Sequence, residues 1–124
     1  MIEHVKQRIR NDCGIAAVAM LAGVSYEASH AVFGRRDGTT RSQVIAALRK
    51  LGMSTPDYFK PLGPEPVETL TTPALLITNK RRKHWHWTVY CPEARRILDP
   101  AQHVPSLPEY RVSAFLPVTR REPA

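Results

Sequence analysis

The sequence predicts an α+β domain in which a helical first half packs on one antiparallel sheet. Three observations carry this expectation. Residues 13–51 contain three segments with helix-start and helix-stop chemistry. Residues 74–118 contain short runs with strand composition. Between them Pro56, Pro61, Pro64, Pro66 and Pro73, with Pro92 further on, chop the chain into short extended pieces.

The chain has 124 residues and 43% apolar residues, enough for one hydrophobic core, so 1–124 reads as a single domain. Asn11 and Asp12 offer capping oxygens before the run Cys13–Ala22. That run is apolar on every side, as in a helix buried all round, and Gly23 stands at its stop. Ser25 is placed to cap a second helix over Tyr26–Phe33, followed by Gly34. Thr40-Arg-Ser-Gln43 has capping-box spacing and launches a third helix to Leu51, with Gly52 beyond it. Ala74–Thr78 suits a buried strand. Trp85–Cys91, Ala94–Leu98 and Arg111–Val118 are further strand candidates. Residues 120–124 are expected to fray.

The formal net charge is +7, but the basic residues fall in scattered clusters: Arg35–Arg36, Lys80–Lys83, Arg95–Arg96 and Arg120–Arg121. Aromatic residues do not interleave with them, so the composition argues against a nucleic-acid stacking surface; an acidic protein partner fits the charge equally well. Ile15–Ala22 is too short to span a bilayer and lacks the basic flank of a signal peptide, so no membrane insertion is expected. A reducing cytoplasm is the expected setting, with secretion by a leaderless route left open. Cys13 and Cys91 lie in contexts unsuited to one disulfide, and without close spacing they make a poor zinc site; no metal or cofactor is expected.

Cys13 is the residue with the most chemistry. A cysteine in the first turn of a helix meets unsatisfied N–H groups and the positive end of the macrodipole, both of which favour the thiolate. Gly14, having no side chain, would let a substrate backbone approach. A cysteine nucleophile also needs a base, and the base needs an orienting acceptor. His84 and His86 alternate onto one face of a strand, with Trp85 and Trp87 on the other. Asp99 follows the next strand and returns toward the histidines if Pro92-Glu-Ala-Arg95 forms a hairpin turn. Trp85 and Trp87 are candidates for lining a substrate cleft, although strand spacing favours a core role. Cys91 has no evident partner base and reads as structural.

Gln7-x4-Asp12-Cys13-Gly14-x-Ala16, followed by Met20, resembles the cysteine motif of the double-glycine leader peptidases, a papain-like family. His86-Trp-Thr-Val89 and Asp99-Pro100 look like that family's later motifs, so the resemblance spans residues 7–100. It implies a papain-like fold, with Cys13 as nucleophile, His86 rather than His84 as base and Asp99 as its orienting partner. It also implies Gln7 as a side-chain donor to the oxyanion. The family usually precedes a transporter, and no such part follows here, so a role coupled to export is not expected. The expected activity is cleavage of an amide bond in a peptide or protein. A glutamine deamidase or transglutaminase-like effector, and an inactive binding module on the same frame, are the alternatives. Oligomeric state is not readable from the sequence.

Overall fold

Helix α1, Cys13–Ala22, sits at the centre of the fold because its sequence has no polar side to turn outward. Residues Gly14–Ala22 are all buried, and α1 packs against two further helices and the middle of the sheet. The chain is described by a computed structural model for residues 2–9, 11–34, 39–63, 66–79, 86–101 and 111–121. Within these residues the protein is a small α+β fold, with three helices packed on antiparallel sheets.

The helix punctuation expected from the sequence operates at most ends. Gly23 has φ 69°, and its N–H returns to the carbonyls of Ala19 and Met20. A β-carbon would disfavour that left-handed conformation, which is why glycine ends α1. Helix α2, Tyr26–Phe33, starts where Ser25 Oγ accepts from the Ala28 N–H at 3.0 Å. Helix α3, Arg41–Lys50, begins with the expected reciprocal box: Thr40 Oγ1 accepts from the Gln43 N–H, and Gln43 Oε1 accepts from the Thr40 N–H. Its buried face is Val44, Ile45, Ala47 and Leu48, and Leu51 stands at its cap.

Among the described residues seven strands follow: β1 Met53–Ser54, β2 Lys60–Pro61, β3 Ala74–Asn79, β4 His86–Cys91, β5 Arg96–Leu98, β6 Arg111–Pro117 and β7 Thr119–Arg120. Five form an antiparallel sheet in the order β2-β6-β3-β4-β5, and β1 pairs with β7. Alternation sorts the strand residues onto two faces. Leu75, Val89, Cys91, Leu98 and Leu116 pack with α1 and α3, while Leu76, Tyr90 and Ile97 join a second cluster with Val67. Burying each large aliphatic side chain contributes about 1.5–3 kcal/mol. Val18, Leu48 and Leu75, all fully buried, therefore anchor the helical layer to the sheet.

Several boundaries differ from expectation. The third expected strand, Ala94–Leu98, shortens to Arg96–Leu98 because Pro92–Arg95 is spent on the turn. There the Arg95 N–H returns to the Pro92 carbonyl and Arg95 adopts φ 52°. The expected tail is also shorter, since Arg120 pairs with Met53 and the Arg121 N–H bonds the Gly52 carbonyl. Residues 122–124 lie outside the described residues. Among the described residues, no single helix is long and apolar enough to cross a membrane.

Candidate functional site

Cys13 is the first residue of α1, and His86 is the first residue of β4. The packing of α1 on β4 brings these two ends together, close enough for Cys13 to raise the pKa of the His86 side chain. The β4–β5 hairpin supplies the third group. Val89 pairs with Leu98, so the chain leaving β5 passes back alongside the start of β4. His86 Nε2 donates to Asp99 Oδ1 at 2.5 Å, and the Ala101 N–H donates to the same oxygen at 2.8 Å.

This arrangement has a defined electrostatic consequence. Burial by itself penalises the imidazolium, because His86 is only 20% exposed. Hydrogen bonds to Asp99 and Cys13, and the negative charges those groups carry when ionised, outweigh it and push the His86 pKa up to about 9. The Asp99 side chain is 2% exposed, so little water screens the pair. A carboxylate can only accept, so Nε2 carries the proton toward Asp99. Nδ1 is then the nitrogen left for the thiol. A half-buried thiol beside an imidazole, at a helix N-terminus, can give up its proton to that base.

Asp12 works differently from the expectation. It makes no capping hydrogen bond to α1. Its fully buried carboxylate instead accepts from the Arg8 N–H (2.9 Å), the Ile9 N–H (3.2 Å) and the Tyr26 hydroxyl (2.5 Å). A carboxylate reaching backward to a loop is unavailable to the amides of the turn ahead of it, which leaves α1 uncapped by side chains beside Cys13.

Gln7 lies in the segment that Asp12 secures. Its N–H donates to the Pro100 carbonyl at 2.8 Å, and its Nε2 donates to the Ile9 carbonyl at 2.8 Å. The backbone therefore ties Gln7 to the Asp99–Pro100 turn, and its side chain bonds within its own loop. The same segment contributes His4, whose Nε2 donates to the Asp99 carbonyl at 2.7 Å.

Gly14 is buried, and a β-carbon there would stand 2.2 Å from Thr39 Oγ1 and 3.0 Å from Trp87 Cδ1. The space left by the missing side chain is thus filled by the protein's own Thr39 and Trp87, not held open for a substrate backbone as expected. Trp87 is half-buried and packs on the main core, with its ring 5.6 Å from that of Phe59. Phe59 in turn borders a groove of about 530 Å³ lined by Thr40, Arg41, Ile45, Asp57 and Tyr58. His84 and Trp85 lie outside the described residues, as do Arg35–Arg36 and Lys80–Lys83.

Sequence reasoning missed His4, Thr39 and the reach of Asp12 to Tyr26. Only the last left a local signal, an acidic residue before the helix start, and its partners 3 to 14 residues away were not legible. Cys91 is buried, and both Cys13 and Cys91 are unoxidised. Among the described residues, no group of three or more His, Cys, Asp or Glu could hold a metal ion. No protein-family model matches this chain, and no curated protein shows significant similarity to it.

Proposed function

We propose that this protein is a cysteine hydrolase acting on an amide bond through Cys13, His86 and Asp99. The single observation that carries the reading is the His86 imidazole bonded to the buried Asp99 Oδ1 at 2.5 Å on one side and raised in pKa by Cys13 on the other. Each group meets the requirement of its role. The thiol stands in the first turn of a helix, its charge acts on the imidazole, and a nearly buried carboxylate holds the imidazole from the other side.

In the proposed reaction His86 takes the Cys13 proton, and the thiolate attacks the amide carbonyl. The negative charge that develops on oxygen is held by the Cys13 backbone N–H, with the Gln7 side chain as the second donor. His86 then gives its proton to the leaving amine, and water, deprotonated by His86, releases the acyl group from sulfur. For Gln7 the role asks that its amide nitrogen, now at the Ile9 carbonyl, share its second hydrogen or turn toward the site. The resemblance to the double-glycine leader peptidases supports a papain-like frame and a peptide substrate.

The test is cleavage of peptides containing a double-glycine site, with the wild-type protein compared to Cys13→Ala. Cleavage that disappears in the variant supports the reading. If no peptide is cut and iodoacetamide alkylates Cys13 at pH 6 no faster than an ordinary thiol, the protein is a binding module on this frame. A glutamine-bearing protein that loses ammonia without chain cleavage would reassign the same groups to deamidation.

A further inference from the structure

Thr88 is fully buried on β4, and its Oγ1 has no hydrogen-bond partner among the described residues. A buried idle hydroxyl disfavours folding, and valine would fill the same shape without that cost. The position of Thr88 suggests what keeps the hydroxyl there. It stands one residue before Val89, whose partner is Leu98, so the next position across the hairpin is Asp99. It is also two residues from His86, on the same side of the strand. Cross-strand neighbours on one face have β-carbons about 4.5–5.5 Å apart. That separation is within reach of a hydrogen bond after a side-chain rotation, or through one water.

Asp99 Oδ1 receives both the His86 Nε2–H and the Ala101 N–H, so the carboxylate must keep one oxygen aimed at the imidazole while the group is almost fully buried. A donor on the strand floor would restrain rotation of the carboxylate about its last bond. A hydroxyl donating to an ionised carboxylate forms a shorter and stronger bond than one between neutral groups.

We propose that Thr88 is a positioning residue for the Asp99–His86 pair, its hydroxyl donating to the Asp99 carboxylate directly or through one water. The inference rests on the hydrolase reading above, and deepens it by adding a fourth side chain that never touches substrate. Tyr90, the other buried hydroxyl on β4 without a partner among the described residues, lies in the second core cluster with Val67 and Ile97 and serves as the comparison.

The experiment measures alkylation of Cys13 by iodoacetamide at pH 6, which needs the thiol and its base but no substrate. Thr88→Val is expected to slow the reaction about tenfold, and Thr88→Ser to restore it. Thr88→Ala, which relieves any crowding that valine could introduce, should slow it at least as much, while Tyr90→Phe should not. In an Asp99→Asn background, Thr88→Val should add less than twofold, as residues acting through one another do. An unchanged rate in Thr88→Val together with a raised Tm would overturn the proposal, as would a full tenfold effect in the Asp99→Asn background. If His86→Ala also leaves alkylation unchanged, the hydrolase reading fails with it. If His86→Ala slows alkylation and Thr88→Val does not, only the role of Thr88 fails.

Discussion

His86 and Asp99 are 13 residues apart in sequence, yet the β4–β5 hairpin joins them through a 2.5 Å bond between Nε2 and Oδ1. The bond exists because the register Val89–Leu98 carries the residues after β5 back beside the first residue of β4. Asp99 is then pinned from behind, its carbonyl accepting from His4 and the next carbonyl, of Pro100, accepting from the Gln7 N–H.

Replacing Asp99 with asparagine should remove the group that selects the reactive tautomer while keeping the side-chain shape. An amide can donate to Nε2 and so trap the proton on Nδ1, the nitrogen that must receive the thiol proton. The expected result is a fall in kcat of about 10²–10⁴-fold with little change in KM. Steady-state kinetics on a cleaved peptide check this, and an unchanged kcat would remove Asp99 from the machinery.

The pH dependence follows from His86. Its pKa is raised to about 9 in the folded protein against an ordinary value of 6.5. Stability from this group is therefore fully present below pH 6.5, declines above it and is lost as pH passes through about 9. Thermal unfolding of the wild type and His86→Gln should differ most at pH 6 and converge above pH 9. The basic limb of kcat should fall in the same region, because the leaving amine loses its proton donor. A limb centred near pH 6.5 would contradict the geometry.

The Asp12 carboxylate makes its prediction on stability. Tyr26→Phe removes one hydrogen bond to a buried charge and should cost about 1.5–3 kcal/mol in urea unfolding. Asp12→Asn should cost more, because an amide nitrogen cannot accept from the donors that now surround the carboxylate. Its effect on kcat should exceed that of Tyr26→Phe, since the Arg8 and Ile9 amides hold the segment that carries Gln7. Equal kcat values in the two variants would mean that the loop keeps its place without Asp12.

Gly14→Ala should be destabilising by about 1–3 kcal/mol, since the new methyl group would overlap Thr39 Oγ1 and press on Trp87. Combining it with Thr39→Ala should recover part of the loss, which equilibrium unfolding of the single and double variants measures. No recovery would place the conflict at Trp87 instead.

The helical half was legible because its signals are local. Ser25, Thr40 with Gln43, and Gly23 act on backbone groups within four residues, and the structure uses each of them. The apolar run of α1 also declared its burial, since no face of it tolerates water. The strands β1, β2 and β7 were not legible. Each is two residues long, and each is defined by a distant partner, as Met53 is by Arg120. Asp12 looked like a cap because a cap and a loop anchor have the same sequence signature; the choice depended on where Arg8, Ile9 and Tyr26 arrive.

The sequence by itself determined most of the helix ends, the strand alternation and the residue types able to perform thiol chemistry. These follow from short-range sterics and hydrogen bonding, which neighbouring residues dictate. Only the tertiary structure decided that Cys13 meets His86, that Asp99 closes on Nε2, and that the space beside Gly14 belongs to Thr39 and Trp87. Those contacts join segments held in place by the packing of α1 on β4 and by the β4–β5 register, and no local preference encodes either.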